Sequence, residues 1–247
     1  MPYNFKLTAG ADPKLWVLQP NIHLLTGYDL SRDPKFVGSI RFSGKTAATD
    51  ALLLRSGLLT TGPIRDSAIV TAGDSNLARP RRWGHAPYLP ADLPPVLVFD
   101  ANDLVMAANR TQDRVAVAFK YASELEVLDT NGVVIKEWKI PGSAVPRVRQ
   151  RNAKPVTFDR DLSRVAVTSI AASDSEVVVA NCLCDGKKAW EEAGTRRIEF
   201  YRWDGTPMGH IPFAKPVGAV AISGDGHTVY VATNQPEPQI VVFTVKY

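Results

Sequence analysis

The 247-residue sequence has no apolar run approaching the ~18–20 residues that a membrane helix needs. Its start, Met1-Pro2-Tyr3-Asn4-Phe5-Lys6, carries no basic segment followed by an apolar stretch, so a signal peptide is not expected and the chain reads as cytoplasmic. Cysteine is scarce. Cys182 and Cys184 are the only two, too close in sequence to staple a scaffold, which excludes a disulfide-built domain. Their spacing falls short of Cys-x-x-Cys, and no second Cys pair or paired His completes a zinc set, so both are expected to be structural or incidental. An excess of one charge is also lacking. The 29 Lys and Arg against 25 Asp and Glu leave a net charge of +4, without the dense basic stripe typical of nucleic-acid binding.

Other signatures are missing too. Helical periodicity is nearly absent; only Lys187–Ala193 reads as a short turn, between Gly186 and Gly194. No Gly-x-Ser-x-Gly nucleophile elbow occurs. Ser43-Gly44-Lys45-Thr46 resembles the end of a phosphate loop, but Ser39 stands where the first glycine belongs and no helix pattern follows, so nucleotide binding is not expected. Glu124 and Glu126 alternate along a strand and are read as facing solvent, not as a glycosidase pair.

What the chain does contain is strands. Short runs rich in Val, Ile, Leu and aromatics recur between Gly, Asp, Asn and Pro, as in Leu15–Leu18, Val115–Phe119, Leu125–Leu128, Glu176–Asn181 and Ile198–Trp203. Asp129-Thr130-Asn131-Gly132, Trp203-Asp204-Gly205 and Gly224-Asp225-Gly226 supply the residues that tight hairpins need. A repeat of strand, loop, strand, Asx-Gly turn, strand emerges over roughly 3–43, 49–85, 95–140, 155–213 and 216–247. A period of about 50 residues suits four-stranded propeller blades. The expected fold is therefore all-β, one β-propeller of about five to six four-stranded blades. A β-sandwich with a small β domain is the competing architecture. The second repeat is the least regular, being interrupted by Gly57, Gly62 and Pro63, and the strand Tyr3–Thr8 could complete either the first repeat or the last.

The segments Arg114–Phe119, Leu125–Asp129 with Gly132, Ile198–Gly205 and Gly218–Ala232 resemble, in order and spacing, the TolB-like six-bladed propeller family of bacteria. The resemblance implies a propeller, of mostly undefined function, at the periplasm or cell surface. It identifies blades and no active site. That family has six blades, a longer chain and an export signal, so the sequence is expected to be a shortened variant or a domain whose start was lost.

Arg79, Arg81 and Arg82 precede Trp83-Gly84-His85, and Arg147, Arg149 and Arg151 lie within Pro146–Lys154. Both segments are read as loops joining the outer strand of one blade to the inner strand of the next, and such loops share one face. The insertion Cys182–Thr195, with Lys187 and Trp190, is expected to open there as well. Arginine forks suit phosphate or carboxylate groups, and an adjacent aromatic can stack. Of the histidines, His85 is the best candidate because it neighbours the arginines, while His23, His210 and His227 are read as structural or solvated. The leading expectation is a non-catalytic interaction module that uses its loop face for a protein or small anionic ligand, with no cofactor. The alternative is a propeller-type hydrolase or lactonase with calcium or zinc at the central channel, drawing ligands from Asp100, Asn102, Asp103, Asn109, Asp159 and Asp161. A structural domain whose function lies elsewhere is a third option. A closed ring predicts a monomer, and an open one predicts self-association through strand edges.

Overall fold

A computed structural model of the chain describes residues 4–8, 14–19, 24–29, 33, 35–41, 50–65, 68–73, 81–88, 93–142, 144, 146–159, 161–185, 196–213, 217–233 and 237–246. The first sheet runs β1 (Asn4–Thr8), β2 (Lys14–Gln19), β3 (Leu24–Asp29) and β4 (Lys35–Arg41), each strand antiparallel to the next. The second runs β5 (Ala51–Leu54), β6 (Gly57–Arg65), β7 (Ala68–Gly73) and β8 (Arg81–Trp83). A two-turn helix, α1 (Pro95–Ala101), precedes the third sheet of β9 (Leu104–Ala108), β10 (Arg114–Phe119), β11 (Glu124–Asp129) and β12 (Val134–Lys139). A separate hairpin, β13 (Val148–Arg151) and β14 (Lys154–Phe158), leads into the fourth sheet of β15 (Arg164–Ala172), β16 (Glu176–Asp185), β17 (Arg196–Arg202) and β18 (Pro207–Phe213). The last sheet has three strands, β19 (Val217–Ile222), β20 (Thr228–Thr233) and β21 (Gln239–Thr244). The leading strands β5, β9, β15 and β19 pack in chain order, as the inner strands of successive blades do.

The core is a series of seams between sheets, and residue parity decides which seam a side chain enters. On β10, Val115, Val117 and Phe119 pack with Leu52, Leu59, Val70 and Trp83 of the second sheet. Ala116 and Ala118, one residue out of phase, pack with Val167, Val177 and Val179 of the fourth. On β16, Val177 and Val179 face the third sheet, whereas Val178 and Ala180 face Val220, Val229 and Val231 of the last. Both faces are therefore covered, which is why these strands are continuously apolar. The last sheet presents its other face outward, with Ile240 71% exposed and Tyr230 and Val242 also accessible.

Two seams carry the same device. The outer strand of one sheet lays a tryptophan on the Asx-Gly turn of the next. Trp83 of β8 covers Gly132, and Trp138 of β12 covers Gly205. Both glycines have positive φ, +81° and +86°, so the turn and the close approach each require the missing side chain. Gly84 N–H also donates to the Gly132 carbonyl, at 3.4 Å.

Two local features differ from the sequence expectation and one open placement is decided. β6 runs on through Gly62 and Pro63, and the interruption appears as a register shift between Thr61 and Arg65. The strand at Asn4–Thr8 pairs with β2 and so belongs to the first sheet. Pro146–Lys154 is not a plain loop, because Val148–Arg151 forms a strand of its own against Lys154–Phe158. The short turn expected at 187–193, the Ser43–Thr46 segment and His23 lie outside the described residues. Among the described residues, no helix is long and apolar enough to cross a membrane.

Candidate functional site

The β13–β14 hairpin is the most exposed basic element among the described residues. Its reversal at Asn152 and Ala153 uses left-handed backbone, with φ of 52° and 61°. Arg149, Gln150, Arg151, Asn152, Ala153 and Lys154 are all exposed. Arg151 and Lys154 sit directly opposite one another, a like-charge pairing that disfavours the isolated hairpin and concentrates positive charge at its tip.

Long-range packing holds the base of the hairpin. Phe158 meets Tyr121 edge to face at 4.9 Å, in one cluster with Leu97 and Ala101 of α1, Val165, Cys182 and Cys184. The two cysteines are joined by a disulfide and are buried. Arg147 N–H donates to Ser163 Oγ at 2.8 Å, and Asp159 N–H donates to the Arg147 carbonyl at 2.9 Å. Asp159 accepts from Arg149 Nε and from Leu162 N–H, and the arginine holds this carboxyl below its usual pKa. Arg149 is thus tied to its own hairpin base. The side chains of Arg147, Arg151 and Lys154 make no ion pair among the described residues and point to solvent.

The other basic residues are placed differently. Arg81 and Arg82 are exposed, but they lie in β8 itself, opposite Ala72 and Thr71, and not in the loop that follows. The outer strand simply extends further than the apolar pattern indicates. Arg79, Lys187 and Trp190 lie outside the described residues.

Of the carboxylates and amides considered for a channel metal, Asn102, Asp103 and Asn109 are engaged locally. Asn102 accepts from Tyr88 N–H at 3.0 Å and donates to the Tyr88 and Val98 carbonyls, closing the end of α1. Asp103 pairs with Lys120 Nζ at 2.9 Å; burial opposes the lysine's charge, but Asp103 outweighs it and raises the lysine pKa. Asn109 bonds Thr111 and Asp113 and accepts from Arg114 N–H at 3.1 Å. Asp161 is exposed and Asp100 is half-buried. Among the described residues, no three of Asp100, Asp103, Asp159 and Asp161 bring carboxylate oxygens within 4.8 Å of one another.

His85 enters a different constellation. It follows Trp83 out of β8 and crosses to the third sheet, where its Nδ1 lies 2.7 Å from Glu126 Oε1 and its Nε2 3.8 Å from Glu137 Oε2. The His85 backbone N–H approaches Glu126 Oε2 at 3.4 Å. Glu126 does not face solvent as its alternation suggested. It is 2% exposed, because Glu126 shares the parity of Leu128, which packs toward the second sheet. Burial pushes its pKa up to about 8, and the nearby Glu137 and Glu124 charges add to this. A signal in the sequence does mark this position. Leu125-Glu126-Val127-Leu128 before Asn131-Gly132 matches Ile198-Glu199-Phe200-Tyr201 before Asp204-Gly205. Glu199 is likewise buried, toward the third sheet, and is bonded by Asn181, Tyr201 and Arg197.

No protein-family model matches the chain, and no curated protein sequence does. Solved structures do. A DUF4221 family member from Bacteroides vulgatus superposes with a TM-score of 0.53 at 9% identity, over 94% of this chain and 76% of that one. The Neurospora crassa Pan2 WD40 domain gives 0.44 at 13% identity, over 100% and 80%. Chaetomium thermophilum Raptor gives 0.47 at 10% identity; the whole chain aligns, but it spans only 25% of the Raptor chain. The fold is a β-propeller. Identities this low speak to fold alone.

Proposed function

We propose that this chain is a non-catalytic propeller interaction module that takes an acidic protein segment or small anionic ligand on its loop face. The observation that carries the reading is the β13–β14 hairpin. Its base is fixed by Phe158, Tyr121 and the Asp159–Ser163 bonds; its tip presents Arg151 and Lys154 to solvent, and Arg147 is exposed at the base. A rigid base with an exposed charged tip suits recognition, because little ordering entropy is lost when a partner binds. Arg149 belongs to this face but acts through Asp159, as the residue that shapes the hairpin. Arg79, Arg81, Arg82, His85, Lys187 and Trp190 complete the set of basic and aromatic residues to be tested, those on β8 as a second patch. The resemblance to TolB-like propellers adds a bacterial periplasmic or surface setting to the proposal.

Fluorescence anisotropy with labelled polyglutamate, and separately with inorganic phosphate as competitor, tests this reading. Replacing Arg147, Arg151 and Lys154 together by alanine should weaken polyglutamate binding at least about tenfold and flatten its salt dependence. Binding unchanged in that variant would overturn the hairpin assignment. Competition by millimolar phosphate would favour a small anion over a peptide.

A further inference from the structure

We propose that His85, Glu126 and Glu137 form a binding site for one divalent transition-metal ion of the zinc class, in the seam between the second and third sheets. Its three ligands come from three segments: the stretch after β8, the buried strand β11, and the outer strand β12. Glu126 and Glu137 are direct cross-strand partners, so their carboxylates share a face, and the second sheet carries His85 to that face.

One nitrogen or oxygen from each residue lies within 4.8 Å of the other two. A tetrahedral ion with bonds of about 2.1 Å sets neighbouring donor atoms roughly 3.4 Å apart. His85 offers one nitrogen to an ion: Nδ1 lies 2.7 Å from Glu126 Oε1, whereas the 3.8 Å contact to Glu137 Oε2 is made by the other ring nitrogen, so Glu137 must swing to the Nδ1 side to join it. The remaining adjustment falls on Glu137, whose side chain is 69% exposed and free to move, while buried Glu126 stays fixed.

An independent observation points to a ligand here. Glu126 Oε1 is buried and no hydrogen-bond donor is directed at it, although an imidazole nitrogen lies close by. A buried acceptor without a well-aligned donor is costly, and a carboxylate set directly opposite a second one is disfavoured from ionising. A cation between the three groups resolves both problems, and the His85 backbone N–H on Oε2 orients the carboxylate from behind. Imidazole with two carboxylates suits zinc and its neighbours in the first transition row. His85 is 47% exposed, so the fourth position opens to solvent, as in sites with three protein ligands and a water. The competing arrangement is a structural His85–Glu126 contact that holds no metal.

Calorimetric titration of the metal-free full chain with zinc chloride at pH 8 separates the two. The expected result is one equivalent bound, a raised Tm with zinc, and affinity at least about tenfold weaker in Glu137→Gln and His85→Ala. His210→Ala, an exposed histidine on β18, should bind as the parent does. Glu137→Gln changes only an exposed side chain, so circular dichroism should show it folded. Absence of stoichiometric binding by the parent would overturn the site. Equal affinity in the parent and both site variants would also overturn it.

Discussion

Replacing Gly132 by alanine places a methyl group inside the indole of Trp83, much closer than any real side chain approaches. The turn cannot move away easily, because Gly132 N–H donates to the Asp129 carbonyl at 3.0 Å and its own carbonyl accepts from Gly84. Left-handed backbone at φ +81° costs a non-glycine residue about 1 kcal/mol. Forcing the indole aside in a packed seam adds about 1–3 kcal/mol. The total is about 2–4 kcal/mol. Gly205→Ala is the matched control. Its φ is nearly the same, but the new methyl group would meet Trp138 at 3.1 Å, a distance that a small shift accommodates. It should cost only about 1–2 kcal/mol. Urea unfolding followed by tryptophan fluorescence measures both. A double-mutant cycle with Trp83→Ala isolates the seam, and a coupling of about 1–3 kcal/mol is expected between positions 83 and 132. Zero coupling, or equal losses at the two glycines, would refute the claim that tryptophan-on-turn contacts lock adjacent sheets.

Other expectations follow from the same seams. Glu126 has a folded-state pKa near 8, above its value in the unfolded chain, so the folded state retains a proton that the unfolded state releases. In the metal-free protein, stability should therefore be fullest at low pH. It should fall as pH rises toward 8, with a slope of up to about 1.4 kcal/mol per pH unit relative to Glu126→Gln. Parallel pH profiles for the two proteins would contradict the buried carboxyl. Val231→Ala, in the seam below the last sheet, should cost roughly 2 kcal/mol, whereas Val242→Ala on its outward face should stay within about 0.5 kcal/mol; similar losses in thermal unfolding would reverse the assignment of faces. Asp103→Asn should destabilise by about 2 kcal/mol in chemical denaturation, because Lys120 loses the partner that outweighs its burial; a neutral result would mean that the lysine reaches solvent.

The repeating sheets were legible in the sequence because their signals are local. Asp129-Thr130-Asn131-Gly132 and Asp204-Gly205 announce hairpins, and Val115–Phe119 announces a strand covered on both faces. The β13–β14 hairpin was not legible. Val148-Arg149-Gln150-Arg151 has no apolar alternation, and what holds it is Phe158 packing on Tyr121, 37 residues earlier in the chain. His85 was singled out for its arginine neighbours, yet its partners are two glutamates on another sheet, 41 residues on in the case of Glu126. Parity along β11 could have assigned Glu126 to a seam only once the covering sheet was known. The matched Leu-Glu and Ile-Glu steps before the two Asx-Gly turns were the one sequence signal that this glutamate is buried between blades, as Glu199 is.

Hydrogen-exchange footprinting of the full chain with and without polyglutamate tests the central functional claim most directly, since it reports where an acidic partner sits. Slowed exchange confined to the Val148–Phe158 hairpin and the adjoining Pro95–Ala101 helix is the predicted result. Protection confined to other strands, or none at saturating polyglutamate, would contradict it.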